Sequence, residues 1–208
     1  MKSVRIYLTR HGQTHYNLEE RMQGHIDAAL TAVGEEQASA LALRIKDVEI
    51  DHVYSSPLIR ASRTAELINL YHHKPVSLDD RLKEMGFGSW EGLVIQDIKN
   101  DYKDRAHAFW KAPETYVPID GETFDNVQER IDQFLKDVVA MHQGETILIV
   151  CHGMLIRNML SYLLGQDVST VWNHPRIYQT CLTIVDYDGQ NADFKVLADA
   201  SHYDFSNL

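Results

Sequence analysis

The chain carries two cysteines in 208 residues, Cys151 and Cys181, too few for a disulfide framework. A reducing compartment is therefore expected, and the chain reads as cytoplasmic. No apolar run reaches the ~20 residues that a membrane helix needs. The N-terminus enters a strand pattern directly, with no apolar signal core, so no membrane partner is expected. Positive charge is also scarce: 20 Lys and Arg stand against 30 Asp and Glu, a net charge of −10. That balance argues against a nucleic-acid partner, because phosphate backbones demand a basic face. It leaves room for a small anionic substrate, since a few focused cations make a positive pocket on an acidic surface. Metal-ligand spacing is missing as well. The eleven histidines show neither HExxH nor a His/Cys/Asp cluster, and the adjacent His72 and His73 cannot both face one ion from a helix. His107, His142 and His174 read as surface residues. No metal and no cofactor are expected.

Repeats, low-complexity stretches and Pro/Ser-rich linkers are absent too, so residues 1–208 read as one domain, long enough to bury a sizeable core. Helical patterns alternate with short apolar runs along it. Val4 to Leu8 reads as a strand, and Thr31 as the N-cap of a helix through about Ile45 with Val33, Ala38, Leu41 and Ile45 buried. A strand at His52–Ser55 runs into Ser56-Pro57, which read as N-cap and N1 of a helix through about Leu70. A short strand at Val76–Leu78 follows. Thr123 to Met141 has the spacing of an amphipathic helix, and Thr146 to Val150 is a continuous apolar run of the kind a central strand needs. A helix from about Met154 to Leu164 comes next. Thr180–Val185 and Phe194–Leu197, with Asp188-Gly189 between them, read as a late hairpin. This alternation predicts an α/β three-layer sandwich, with a mostly parallel central sheet and helices on both faces.

The chemistry concentrates at strand ends. Arg10-His11-Gly12 follows the first strand, where a surface turn with an incidental histidine is the bland account. The functional account is a phosphate site: Arg offers a planar fork of donors, Gly lets a ligand approach the backbone, and imidazole is a competent nucleophile near neutral pH. Arg60 and His152 also follow strands, at the carboxyl edge where open α/β sheets bind ligands. Taken alone, Arg60 equally suits a surface ion pair, and His152 a satisfied core histidine.

Further blocks accompany Arg10-His11-Gly12: Thr14-His15-Tyr16-Asn17, Gln23-Gly24-His25-Ile26-Asp27, Ser55-Ser56-Pro57-Leu58-Ile59-Arg60-Ala61, the stretch from Leu82 through Glu84 to Gly92, and Val150-Cys151-His152-Gly153. In this order, from about Val4 to about Leu164, they resemble the histidine phosphatase superfamily, the group containing cofactor-dependent phosphoglycerate mutases and many small phosphatases. The resemblance implies a metal-independent phosphomonoesterase acting on a small phosphorylated metabolite. His11 would be the nucleophile that becomes phosphohistidine. Arg10, Arg60 and a charged His152 would hold the phosphoryl oxygens. Glu84, a carboxyl of raised pKa, would protonate the leaving group, with Glu91 the competing acid. Asn17, Gln23, Gly24 and Gly153 fall at positions that touch the phosphoryl group or the substrate.

Three other readings stand beside this one. A phosphoglycerate mutase must also recognise a carboxylate, through an Arg-rich segment between the acid and the second histidine. Here Glu91 to Gly121 is short and holds Arg105 as its single arginine, so a phosphatase is favoured. Residues 92–121 would form a short cap-like insertion whose Tyr102, Phe109, Trp110 and Tyr116 either wall a substrate pocket or pack the cap. Second, Cys151 to Arg157 fits the C-x5-R loop of cysteine-dependent phosphatases, although Met154-Leu155-Ile156 look like helix core. Third, the chain could keep a phosphate pocket as a non-catalytic regulatory domain. The segment Arg176–Thr180 departs from the family pattern, and self-association as a homo-oligomer stays open.

Overall fold

The computed structural model describes residues 2–203. Six strands form one sheet: β1 (Val4–Arg10), β2 (His52–Ser55), β3 (Val76–Leu78), β4 (Thr146–Cys151), β5 (Leu182–Tyr187) and β6 (Ala192–Asp199). Their order is β3-β2-β4-β1-β5-β6. The pairs β3·β2, β2·β4 and β4·β1 are parallel, and β5 and β6 add an antiparallel hairpin. The main helices are α1 (His15–Leu18), α2 (Ala32–Ile45), α3 (Ile59–Asn69), α4 (Ile95–Asp101), α5 (Lys103–Lys111), α6 (Phe124–Met141) and α7 (Gly153–Leu163). The predicted sandwich is what forms.

Alternation along the central strands makes the three layers. Tyr7, Leu148, Val150 and Val53 point to one face, where they pack with Leu41, Ile45, Ala61, Ala65 and Ile68 of α2 and α3. Ile6, Leu8, Ile147 and Ile149 point to the other face, against Val127, Ile131, Leu155 and Met159 of α6 and α7. Strands covered on both faces must be apolar throughout, which is why β4 reads as an unbroken run. Thr31 caps α2 by accepting from the Gly34 N–H at 3.0 Å, and Thr123 with Asn126 forms a capping box on α6. Within the α2 stripe, Val33 is only half-buried.

Two expectations are corrected here. Helix α3 begins at Ile59, not at Pro57, because the Ser56 hydroxyl is engaged elsewhere and Asp27 takes the Ile59 N–H at 2.8 Å. His142 is buried, with Nε2 2.8 Å from the Tyr54 hydroxyl and Nδ1 2.7 Å from Glu145, while half-buried His174 meets the Ser161 hydroxyl at 2.7 Å. Neither is the surface residue expected.

Residues 92–121 contribute α4 and α5, whose rings cluster on Trp90. Trp110 stacks on Trp90 at 6.1 Å, and Tyr102, Phe109 and Tyr116 surround it. Among the described residues no helix is long and apolar enough to cross a membrane.

Candidate active site

Parallel register brings three strand ends level. Arg10 pairs with Cys151 and Ser55 with Val150, so His11, Ser56 and His152 leave the sheet side by side. Of the three, His11 reaches a cleft of about 350 Å³, lined also by Arg10, Asn17, Gln23, Gly24, Arg60, Glu84 and Gly153 together with cap residues, whereas Ser56 and His152 are fully buried and not among its lining residues.

His11 is buried and its Nδ1 lies 2.7 Å from the Gly12 carbonyl oxygen. A carbonyl only accepts, so the ring proton sits on Nδ1 and the lone pair is left on Nε2. Burial, then Arg60 and Arg10, push the imidazole well below the usual histidine pKa. The ring is neutral and nucleophilic. The loop that carries it is tied down by the Gly12 N–H, which donates to Thr64 Oγ1 at 3.0 Å. Gly12 serves packing rather than ligand approach, contrary to expectation: a Cβ there would lie 2.3 Å from the Gly34 carbonyl oxygen.

Arg60 is fully buried and has no carboxylate partner, so the surface ion pair is ruled out. Its Nη1 and Nη2 donate to the carbonyls of Ile26 (2.9 Å) and Gly24 (2.7 Å), and its Nε donates to His152 Nδ1 at 3.2 Å. Burial lowers its pKa to about 10 against the pull of Glu84 and Asp27, which leaves it a cation at neutral pH. Gly24 holds a positive φ of 53°, and a Cβ there would strike Glu91. Arg10 donates Nη1 to the Ile177 carbonyl at 2.8 Å, and its buried Nε makes no hydrogen bond. A Cβ added at Gly153 would meet that guanidinium at ordinary contact distance, 3.6 Å from Nε.

His152 departs from the expected imidazolium. A nitrogen that accepts from Arg60 has no proton, so the ring is neutral and gives its Nε2–H to Ser56 Oγ at 2.8 Å. Burial, Arg60, His11 and Arg10 all disfavour a second proton. Its ring centroid stands 5.2 Å from that of His11.

Glu84 is 8 % exposed and lies against the start of α7. Its Oε1 accepts from the N–H groups of Met85 (2.9 Å) and Leu155 (3.1 Å), and its Oε2 from that of Met154 (3.2 Å). In each of these bonds Glu84 is the acceptor. Arg130 fixes this loop by donating to the carbonyls of Arg81, Lys83 and Glu84 while paired with Glu122. His25 reaches the Glu84 carbonyl at 2.9 Å from the other side. Glu91, the competing acid, spends its Oε1 on the His25 and Phe87 N–H groups and does not line the cleft.

Asn17 and Gln23 both line the cleft. Each offers its side-chain oxygen to Thr14 Oγ1, at 3.1 and 3.0 Å, which leaves the amide nitrogens for a ligand. Cys151 ends β4, fully buried and outside the cleft, and burial pushes its thiol pKa far up. With α7 starting at Gly153, there is no phosphate loop around that sulfur. Of the cap aromatics, Phe109 and Trp110 line the cleft and Tyr102 and Tyr116 pack Trp90. Ser56, Thr64, His25 and Arg130 were not singled out as site residues from the sequence. Ser56 imitates a helix cap, His25 lies within the Gln23–Asp27 block with no role of its own, Thr64 follows the Ser55–Ala61 block by one turn, and nothing in the spacing marks Arg130.

The family model of the histidine phosphatase superfamily (branch 1) matches residues 6–200. The adenosylcobalamin/alpha-ribazole phosphatase of Escherichia coli (strain K12) is 30% identical over 194 residues, covering 93% of this chain and 95% of that protein. Phosphoserine phosphatase 1 of Hydrogenobacter thermophilus is 31% identical over 170 residues, 82% and 81% of the two chains. The solved structure of Bacillus stearothermophilus YhfR superposes with a TM-score of 0.91 at 37% identity, over 96% of this chain and 98% of that one. Fold, strand-end chemistry and kinship agree: the chain belongs to branch 1 of the histidine phosphatase superfamily, an enzyme family of phosphatases and phosphoglycerate mutase-like proteins.

Proposed function

We propose that the protein is a phosphomonoesterase that works through a phosphohistidine at His11 and needs no metal. The observation that carries this is the His11 tautomer: Nδ1–H bound to the Gly12 carbonyl leaves a neutral Nε2 lone pair among cations. A neutral nucleophile meets less repulsion from a phosphate dianion than an anionic one would.

In the first transfer Nε2 attacks phosphorus, the P–N bond forms and the ester P–O bond breaks. The leaving oxygen takes the electron pair and a proton from Glu84, which enters this step as the carboxylic acid. In the second transfer Glu84 accepts a proton from water, the water oxygen attacks phosphorus, and the P–N electrons return to Nε2. Arg10 and Arg60 balance the charge spread over the equatorial oxygens. They supply the electrostatic stabilisation a divalent ion would otherwise bring. Among the described residues no three His, Cys, Asp or Glu side chains are grouped to hold an ion.

Arg105, the single arginine of the cap segment, lies over the Trp90 and Tyr102 rings and not in the cleft, so the cap lacks the arginine-rich carboxylate site expected of a mutase. The relatives act on chemically different esters by name, alpha-ribazole phosphate and phosphoserine, so kinship alone does not fix the substrate. The reading predicts turnover of nitrophenyl phosphate that persists in chelator and disappears in His11→Ala. Loss in chelator, restored by added metal, would contradict it.

A further inference from the structure

The phosphoryl-binding groups leave part of the cleft without a role. Five arginines line it, Arg10, Arg21, Arg60, Arg157 and Arg176, and Glu84 is the one acid among the lining residues. Arg21 is neutralised by Glu19 at 2.6 Å, and Arg10 and Arg60 face the phosphoryl position. Arg157 and Arg176 remain. Neither has a carboxylate within ion-pair distance among the described residues, on a chain whose acids outnumber its cations by 30 to 20.

Arg157 is a built feature. It stands on α7, five residues beyond His152, and it is half-buried. Its Nη1 donates to the carbonyls of Val171 (3.2 Å) and His174 (3.1 Å), and its Cζ lies 5.1 Å from the centre of the Trp172 ring. Trp172 is itself anchored, giving its Nε1–H to the Phe109 carbonyl at 2.6 Å. The guanidinium is thus held before any ligand arrives, which reduces the entropy lost on binding. Burial, then repulsion from Arg10, lowers its pKa: the site holds positive charge that the protein leaves uncompensated. Nε and Nη2 have no hydrogen-bond partner among the described residues, and they are the adjacent donors that form a two-bond fork with an oxyanion. Arg176 sits nearby at the exposed rim, its Cζ 4.7 Å over Tyr178.

We infer that Arg157 and Arg176 form a subsite for a second oxyanion of the substrate, a carboxylate or a second phosphate. The organic part joining it to the ester phosphate would lie along Trp110 and Trp172, which line the same cleft. This rests on the phosphatase reading and adds specificity to it: the preferred substrates are small phosphomonoesters with a second acidic group. Helix α7 and the segment that follows it supply this recognition, not the cap.

The test compares kcat/KM for a phosphorylated hydroxy acid with that for its primary amide, which keeps shape and loses charge. A charge-assisted two-bond contact predicts a preference for the acid of about ten- to a hundredfold. In Arg157→Gln the acid-to-amide ratio should fall to within about threefold of one, and in Arg176→Gln part of the way. The ratio is internal to each variant, so a partly misfolded preparation lowers both rates and leaves it intact. Arg176 is exposed, so its substitution leaves the packing in place. A second arm compares a sugar bisphosphate with the monophosphate. A preference there that Arg157→Gln removes, with an acid-to-amide ratio near one, identifies the oxyanion as phosphate. Ratios near one in both arms, or preferences that survive both substitutions, overturn the subsite. If nitrophenyl phosphate is turned over in those cases, only the subsite fails. If it is not turned over either, the phosphatase reading fails with it.

Discussion

Arg60 donates its Nε–H to His152 Nδ1 at 3.2 Å, and this bond sets the protonation state of that ring. His152 is neutral, its one ring proton committed to Ser56. An oxyanion replacing that contact needs a donor at Nδ1, so the ring must gain a proton as the ligand enters. Binding is therefore linked to proton uptake.

Sulfate isolates this effect, because its own charge is constant across the neutral range. Its affinity should rise as pH falls from about 8 to 6, by up to about tenfold per unit for each proton taken up. Calorimetry in buffers of different ionisation enthalpy counts those protons directly. In His152→Asn the slope should flatten, and any slope that remains points to His11, whose Nε2 also faces the ligand. A pH-independent sulfate affinity in the wild type would refute the linkage.

Glu84→Gln should slow esters with poor leaving groups, such as glyceryl phosphate, far more than nitrophenyl phosphate, whose phenolate departs unaided. General acid catalysis is worth about 10²–10⁴-fold, so the gap between the two classes should exceed about tenfold in single turnovers. Equal losses would remove Glu84 from the acid role. Glu91 is then a poor replacement, since its carboxylate already bonds the His25 and Phe87 N–H groups.

Folding stability should fall in mild acid for a stated reason. His11 and His152 have folded-state pKa values pushed well below the usual 6.5 by burial and then by Arg60. Below about pH 6.5 the unfolded chain binds protons that the folded chain refuses, so stability is full above that pH and declines beneath it. Each histidine contributes up to about 1.4 kcal/mol per pH unit. Urea titrations between about pH 6.5 and 5.5 should show the decline, and His152→Asn should reduce its slope. An unchanged slope in that variant would mean that His152 takes up its proton in the folded state.

How far the sequence carried this account is visible in particular residues. Strands β1 and β4 were legible because two-sided burial demands continuous apolar runs, and α6 because Phe124, Val127, Ile131 and Leu135 share one face. The site emerged from glycine-marked strand ends at His11 and His152. Helices α4 and α5 were not legible: their burial depends on Trp90, which arrives from an earlier segment. Ser56 imitated a helix cap because Ser-Pro is a local signal, whereas its partner His152 is 96 residues away. The neutral ring of His152 was not legible for the same reason: its Nδ1 accepts from Arg60, which stands on α3, 92 residues earlier in the chain.

The most direct measurement is the fate of labelled phosphate. Brief reaction with a phosphorus-labelled ester, quenched in alkali, should leave label on His11, stable to base and lost in acid. Label and turnover should both vanish in His11→Ala, while Cys151→Ser, altered at a buried thiol outside the cleft, should keep both. Label that survives His11→Ala, or that follows Cys151, would contradict the account at its centre.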